Sequence, residues 1–255
     1  MDVRAYFKDK QILSWALYDW ANSTFATSIM AAFFPIYFKQ FWSHGESSAI
    51  TSSRLAFATA AASFVVAILA PVLGAIADQV NAKKKFLIFF LTIGVTTTGA
   101  LTFTSMGQWQ IAVLLYAFGT IGFSGSNIFY DALLVFISNE KTVDGVSAFG
   151  FSMGYLGGGL LFVLNTLTVL YPTSFGLTDQ SQAVQVSFIM VAIWWALFSI
   201  PLFLYVPEKK IESKDSILAI CKKGFSRLKT TFSQLRNLKV TFLFLVSYWF
   251  YIDGV

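Results

Sequence analysis

The chain has 255 residues, of which 56% are hydrophobic and only 12% charged, and its mean hydropathy is +0.66. Soluble globular domains carry about twice that charged fraction, so the composition excludes an ordinary soluble protein and predicts an all-α polytopic membrane protein. One cysteine, Cys221, and one histidine, His44, exclude an internal disulfide and a thiolate or imidazole metal cluster. We therefore expect no metal and no cofactor.

Six apolar runs reach the length of about 20 residues that crosses a bilayer. They cover residues 15–38, 55–77, 86–104, 111–137, 146–171 and 184–206. The first run is too long for the apolar region of a signal peptide and lacks a clear small-residue cleavage site, so we interpret it as a span. A seventh run begins at Val240. We predict a six-helix bundle over residues 1–206, a linker over residues 207–239 and the start of a seventh helix over residues 240–255.

The basic residues gather between the apolar runs, which argues against a nucleic-acid partner despite the net charge of +5. All Lys and Arg except Lys39 and Arg54 fall in the N-terminal tail, the even-numbered loops or the linker. The positive-inside rule then predicts a cytoplasmic N-terminus. In the linker, apolar residues recur every three or four positions. This pattern is typical of an amphipathic helix on anionic headgroups, and a solvated linker is the alternative.

Polar residues form a stripe on two of the spans. Asp19, Asn22 and Ser23 share one face of the first helix, because they are three and four positions apart. The fourth span repeats the pattern with Thr120, Ser124, Asn127 and Asp131. A carboxylate at the bilayer centre costs about 2.5–3.5 kcal/mol, so these stripes should face the bundle interior or a water-filled cavity. Solute binding or proton coupling is one interpretation; structural hydrogen bonds to neighbouring helix ends are the other.

The stretch GAIADQVNAKKK, residues 74–85, follows the second span and resembles the major facilitator signature G-x-x-x-D-[RK]-x-G-[RK]-[RK]. Gly74 and Asp78 fit it, and Lys83 and Lys84 form its basic pair one position later than in the commonest form. Gln79 replaces the usual basic residue and Asn81 the usual glycine. The resemblance implies that this stretch forms a conformational latch. The residues of the latch would be Gly74, Asp78, Asn81, Lys83 and Lys84. A short loop with orienting lysines is the alternative.

Four further stretches resemble one branch of that superfamily: ALYDWANSTFAT, NIFYDALL, VSAFGFSMGYLGGGLL and YWFYIDGV. They are similar to the autophagy-related vacuolar effluxer-like family and its bacterial relatives. The resemblance implies a twelve-helix transporter linked to amino-acid export, whose N-terminal half consists of two inverted three-helix repeats. Because helices one, four and seven line the cavity in that fold, it implies that Asp19, Asp131 and Asp253 face the cavity.

This family resemblance also sets the expected partners. They are the lipid bilayer, a small-molecule solute, protons or another coupling ion, and a missing C-terminal half, since we expect the chain to be a fragment of a longer protein. The bacterial branch implies the inner (plasma) membrane.

The fifth span contains closely spaced glycines at positions 150, 154, 157 and 158. Because they lie inside an apolar run with no preceding strand, a dinucleotide-binding loop is excluded. Small residues four apart allow helices to approach closely, so Gly150, Gly154, Gly157 and Gly158 predict a packing face.

The leading interpretation is a secondary transporter working by alternating access, and the chain contains no Walker motif for ATP. An intramembrane aspartyl protease is an alternative because Tyr18-Asp19 and Tyr130-Asp131 form two Tyr-Asp pairs. The Gly-x-Gly-Asp and Pro-Ala-Leu motifs of such proteases are absent. A non-transporting scaffold is the other alternative, but residues 39–54 and 172–183 are too short to form a domain. We therefore expect that the chain is not an enzyme.

Overall fold

A computed structural model describes residues 3–80, 82–208, 226, 230 and 238–253. We number each helix by the predicted span that it contains. A short helix, Val3–Lys8, precedes the first helix, and the remaining helices are Ser48–Val80, Lys83–Ala100, Trp109–Asp131, Val143–Leu170, Gln180–Tyr205 and Lys239–Asp253. By length and composition, the described residues contain five helices able to cross a membrane, namely the second to the sixth. The chain is therefore an all-α polytopic membrane protein.

The first helix begins earlier than its apolar run and departs from regular α geometry. Asp9 caps it, because the Asp9 carboxylate accepts the backbone N–H groups of Gln11 and Ile12 at 2.9 and 3.1 Å. The helix continues without a break through four segments: α-helical Lys10–Thr24, π-helical Phe25–Phe33, α-helical Phe34–Tyr37 and π-helical Phe38–Trp42. Pro35 therefore lies between two wide turns, where its missing N–H interrupts a hydrogen-bond pattern that is already irregular.

Two other helix ends differ from the predicted spans. The second helix begins at Ser48, well before the predicted start at residue 55. Its first residues are mostly polar, so the α-helix extends beyond the apolar run. The fourth span was predicted as one run over residues 111–137, but its α-helix ends at Asp131 and a 3₁₀ turn, Leu134–Phe136, follows. Asp131 is consequently the last residue of the α-helix, and it is exposed.

The helices pack in a pattern that repeats after three helices. The first helix packs against the fifth and the sixth, and the fourth packs against the second and the third. The third also contacts the sixth. If helices one, two and three are exchanged with helices four, five and six, respectively, the same set of helix contacts results.

Aromatic rings and glycines fill the centre of the bundle. The centroid of the buried Trp195 ring lies 5.5 Å from the centroid of the Phe25 ring and 6.2 Å from that of the Phe123 ring. The third and fourth helices approach so closely that a Cβ on Gly122 would overlap the backbone of Gly94. These contacts join the first, third, fourth and sixth helices and fix the rotation of the first and fourth helices, which present the polar stripes.

Candidate functional site

Two adjoining cavities open between the first, fourth and fifth helices. The smaller has a volume of about 280 Å³, and its walls include Asp19, Asn22, Ser23, Thr27, Phe123, Asn127, Phe151, Gly154 and Tyr155. The larger has a volume of about 330 Å³, and its walls include Trp15, Asp19, Asn127, Tyr130, Asp131, Ser147 and Phe151. Asp19, Asn127 and Phe151 line both cavities. The structure thus places the two carboxylates of the polar stripes on the walls of neighbouring cavities.

Hydrogen bonds orient the polar side chains at this junction. The Asn22 side-chain amide donates to Asn127 Oδ1, which joins the first helix to the fourth. Ser23 Oγ donates to Asp19 Oδ1 at 3.2 Å. Asn22 is almost fully buried, and Asp19 is partly buried. The hydrogen bond between the two asparagines therefore fixes their positions in the cavity wall. The Asp19 carboxylate beside them stays accessible from the cavities.

Thr120, the first member of the fourth-span stripe, plays a different part. It is buried and donates to the Tyr116 carbonyl one turn earlier, at 2.9 Å. Only Asn127 and Asp131 of that stripe line the cavities. The four-residue spacing placed all four residues on one face, but the helix ends and the neighbouring rings determine which of them reach open space.

Aromatic stacking holds the end of the fourth helix where Asp131 lies. The Trp15 indole N–H donates to the Tyr130 carbonyl at 3.1 Å, and the two rings stack with centroids 4.4 Å apart. Tyr18 stacks on the same Tyr130 ring at 4.8 Å. Because Tyr130 is clamped between helices, the position of Asp131 at the cavity wall is fixed through its neighbour.

The four glycines of the predicted packing face, Gly150, Gly154, Gly157 and Gly158, all lie against the first helix. A Cβ on Gly154 would lie 2.7 Å from Ser23 Oγ and 2.9 Å from Asp19 Oδ1. A Cβ on Gly150 would overlap the Trp15 ring, and one on Gly158 would lie 3.1 Å from Thr27. Since Gly154 has no side chain, the Asp19 carboxylate has room beside the fifth helix.

Several predicted residues lie partly or wholly outside the described part of the structure. Asn81 and residues 209–225, 227–229 and 231–237 of the linker lie outside it, as do the side chains of Asp78 and Asp253. Gly74 has open space where a Cβ would be added. Among the described residues, no group of three or more His, Cys, Asp or Glu side chains could hold a metal ion.

Glu208 adds a contact at the signature loop that sequence reasoning missed. Its carboxylate accepts the backbone N–H of Lys83 at 2.5 Å and that of Lys84 at 3.4 Å, which caps the third helix. The Lys84 ammonium donates to the Phe203 carbonyl of the sixth helix at 3.1 Å. The first residues after the sixth helix are thus bound to the loop that carries the signature lysines.

Replacing this cap is expected to loosen the start of the third helix. We expect Glu208→Ala to cost about 1 kcal/mol locally, the usual value of a helix cap, and to speed hydrogen exchange of the Lys83 and Lys84 amides about fivefold. Hydrogen–deuterium exchange of the purified protein measures this directly. Glu140→Ala, in an exposed loop, is the matched control. Unchanged exchange in Glu208→Ala would show that the cap is not formed in the membrane-embedded protein.

The fold and the acidic cavities define a membrane protein with the architecture of one half of a major facilitator. The chain belongs to the vacuole effluxer Atg22-like family, whose family model matches residues 44–255. This confirms the resemblance inferred from the sequence motifs.

Two curated relatives match over most of the chain. The chain is 40% identical over 248 residues to the uncharacterized MFS-type transporter YxiO of Bacillus subtilis (strain 168). This match covers 96% of the chain and 58% of that protein. The chain is 24% identical over 223 residues to an uncharacterized protein of Aquifex aeolicus (strain VF5), with 86% and 52% covered. No solved structure matches. The chain therefore spans little more than half the length of these relatives.

Proposed function

We propose that the chain forms the N-terminal half of a secondary transporter that moves a small solute, of the amino-acid class suggested by the effluxer family, by alternating access. The observation that carries the proposal is the pair of adjoining cavities, whose walls include Asp19 from the first helix and Asp131 from the fourth. A transporter needs a polar path between apolar helices, and intramembrane carboxylates that face a cavity are typical of solute or proton pathways. The name of the YxiO relative gives independent support.

The helix contacts support an organisation of residues 1–206 as two inverted three-helix repeats. Exchanging helices one to three with helices four to six converts the observed contacts into themselves, as repeats of this kind require. Such repeats place the substrate site at their interface, and the bond between Asn22 and Asn127 lies where the first helices of the two repeats meet. The second half of the transporter would complete the cavity.

The signature loop is proposed as the latch on the cytoplasmic side, with the N-terminus in the cytoplasm and the protein in the inner membrane. Glu208 strengthens this proposal because its carboxylate joins the end of the sixth helix to Lys83 and Lys84. This contact joins the loop to the end of the sixth helix within the same six-helix bundle, and it therefore fixes the position of the loop.

Cysteine accessibility in the complete protein tests alternating access and the latch together. With Cys221 and every other cysteine of the complete protein replaced by serine, single cysteines are introduced by Ser147→Cys or Thr27→Cys, and a membrane-impermeant maleimide is applied from either side. Asp78→Ala should release the latch, so we expect labelling of position 147 from the cytoplasmic side to rise severalfold and labelling of position 27 from the opposite side to fall. Asp144→Ala, an exposed acid in the first turn of the fifth helix, is the control. Labelling that Asp78→Ala leaves unchanged at both positions would contradict the latch, and one-sided labelling under all conditions would favour a scaffold.

A further inference from the structure

We propose that the two cavities bind an organic ammonium group, so that the transported solute carries a protonated amine next to an apolar or aromatic portion. This inference rests on the proposed function, because it names the solute class of the same site. It is drawn from the charge, the rings and the hydrogen-bonding groups of the cavity walls.

The walls of the two cavities carry acidic groups and no basic ones. Asp19 and Asp131 line them, and none of the lining residues in the described structure is Lys, Arg or His. A cleft lined by one sign of charge and enclosed by low-dielectric walls concentrates ions of the opposite sign. Next to Asp19 and Asp131, the site therefore favours the cationic group of a solute over a carboxylate or phosphate.

Aromatic rings lie beside both carboxylates. Phe151 lines both cavities, Tyr155 lines the smaller, and both side chains are largely exposed, at 63% and 81%. Trp15 and Asp131 both line the larger cavity, where the almost fully buried Trp15 ring stacks on Tyr130. Ring faces attract organic ammonium groups, and their flat surfaces accept the attached hydrocarbon. A proton pathway needs the carboxylates alone, whereas an amine site also uses the rings.

Hydrogen-bond acceptors complete the match to an ammonium group. An ammonium has three N–H donors and no acceptor. The Tyr130 hydroxyl is buried and has no hydrogen-bond partner within the described residues, although Tyr130 lies on the wall of the larger cavity. Leaving a buried hydroxyl unpaired costs about 1–3 kcal/mol, so a ligand donor that reached it would recover that cost. The oxygens of Asp19 and Asp131 supply the remaining acceptors.

The cavity volumes are sufficient for a small solute. Volumes of about 280 and 330 Å³ lie at the low end of ligand pockets, which measure about 300–1,000 Å³. Each cavity has room for an ammonium group with a short side chain.

Binding of matched probes tests the proposal on the complete protein in lipid nanodiscs by isothermal titration calorimetry. The probes are 2-phenylethylammonium, phenylacetate and 2-phenylethanol, which share a ring and differ in the charge of the end group. We expect the ammonium to bind at least tenfold more tightly than the other two. Equal binding of all three, or tighter binding of phenylacetate, would overturn the proposal. Displacement of the ammonium by sodium chloride, but not by choline chloride of the same ionic strength, would identify an inorganic cation site and overturn it as well.

Variants identify the groups responsible. We expect Asp19→Asn to weaken 2-phenylethylammonium binding about tenfold, Phe151→Leu to weaken it about threefold, and Asp144→Asn to leave it unchanged. If Asp19→Asn fails to fold, Phe151→Leu still tests the aromatic part, and unchanged affinity in that variant would contradict it. The cysteine-accessibility experiment on the same protein separates the two proposals. Reciprocal labelling without ammonium binding would reject the amine solute and retain the transporter, and one-sided labelling would reject the transporter itself.

Discussion

Asp19→Asn in the complete protein is expected to abolish solute flux or to uncouple it from the driving ion. Asp19 is the only carboxylate among the described residues that lines both cavities, so it is the group that a cation or proton meets in either of them. The substitution preserves the shape of the side chain, and the amide oxygen of the introduced asparagine can still accept the hydrogen bond from Ser23. The variant thus removes the charge with little change in geometry. We expect a loss of at least tenfold, since hydrogen bonds to charged groups contribute about 1.5–3 kcal/mol.

Proteoliposome efflux measurements check this result. A panel of amino acids and primary amines is loaded, and the efflux of each is followed by mass spectrometry with and without a pH gradient. Asp144→Asn is the matched control, because Asp144 is exposed and lies outside both cavities. The melting temperature of Asp19→Asn should not fall, because removing a partly buried charge relieves a desolvation cost. Normal pH-dependent flux in Asp19→Asn would rule out a role of this carboxylate in transport.

Gly157→Ala is expected to cause the largest loss of stability among single-methyl additions on the fifth helix. The new Cβ would overlap the backbone carbonyl of Trp20 and also its indole ring. The same carbonyl also accepts a hydrogen bond from the Trp194 indole N–H of the sixth helix, at 3.4 Å. The first helix cannot retreat without breaking this contact. Overpacking of this kind costs about 1–3 kcal/mol, which corresponds to a melting temperature lower by several degrees.

The adjacent glycine provides a control with the same chemistry. Apart from its chain neighbours and the adjacent backbone of the fifth helix itself, no atom lies within 4 Å of the position that a Cβ on Gly159 would occupy. Gly159→Ala should therefore keep or slightly raise the melting temperature, because alanine loses less backbone entropy than glycine in a helix. Thermal unfolding in detergent, followed by tryptophan fluorescence, compares the two variants. Equal melting temperatures would mean that the first and fifth helices do not approach each other closely at Gly157.

Hydropathy located the helices well because the requirement it detects is local: each span must be apolar over its own length. Helix ends were less predictable. Asp9 starts the first helix through its side chain, and the second helix begins at Ser48 in a polar stretch. The π-helical segments were not predictable from composition. A π turn and an α turn can contain the same apolar residues, and the choice between them depends on packing with other helices.

The candidate site shows the same division. The spacing of Asp19, Asn22 and Ser23 predicted their common face, because neighbours on a helix are set by its period. The partner of Asn22 was not predictable, since the bond to Asn127 depends on how two distant helices rotate against each other. Glu208 was assigned to the linker. Its contact with Lys83 joins residues 125 positions apart, and no local pattern encodes such a pairing.

The π-helical segments of the first helix have a consequence for how this protein tolerates changes of chain length. A π turn closes its hydrogen bond one residue further along than an α turn, so it holds a surplus residue. Deleting one residue within Phe25–Phe33 can be absorbed by conversion of one wide turn to α geometry, and Asp19 and Trp42 on either side keep their orientation. The fifth helix, Val143–Leu170, has no such reserve, because it is α-helical throughout. One residue lost there rotates every later side chain by about 100°, a single step of the α-helix, and turns the glycines away from the first helix.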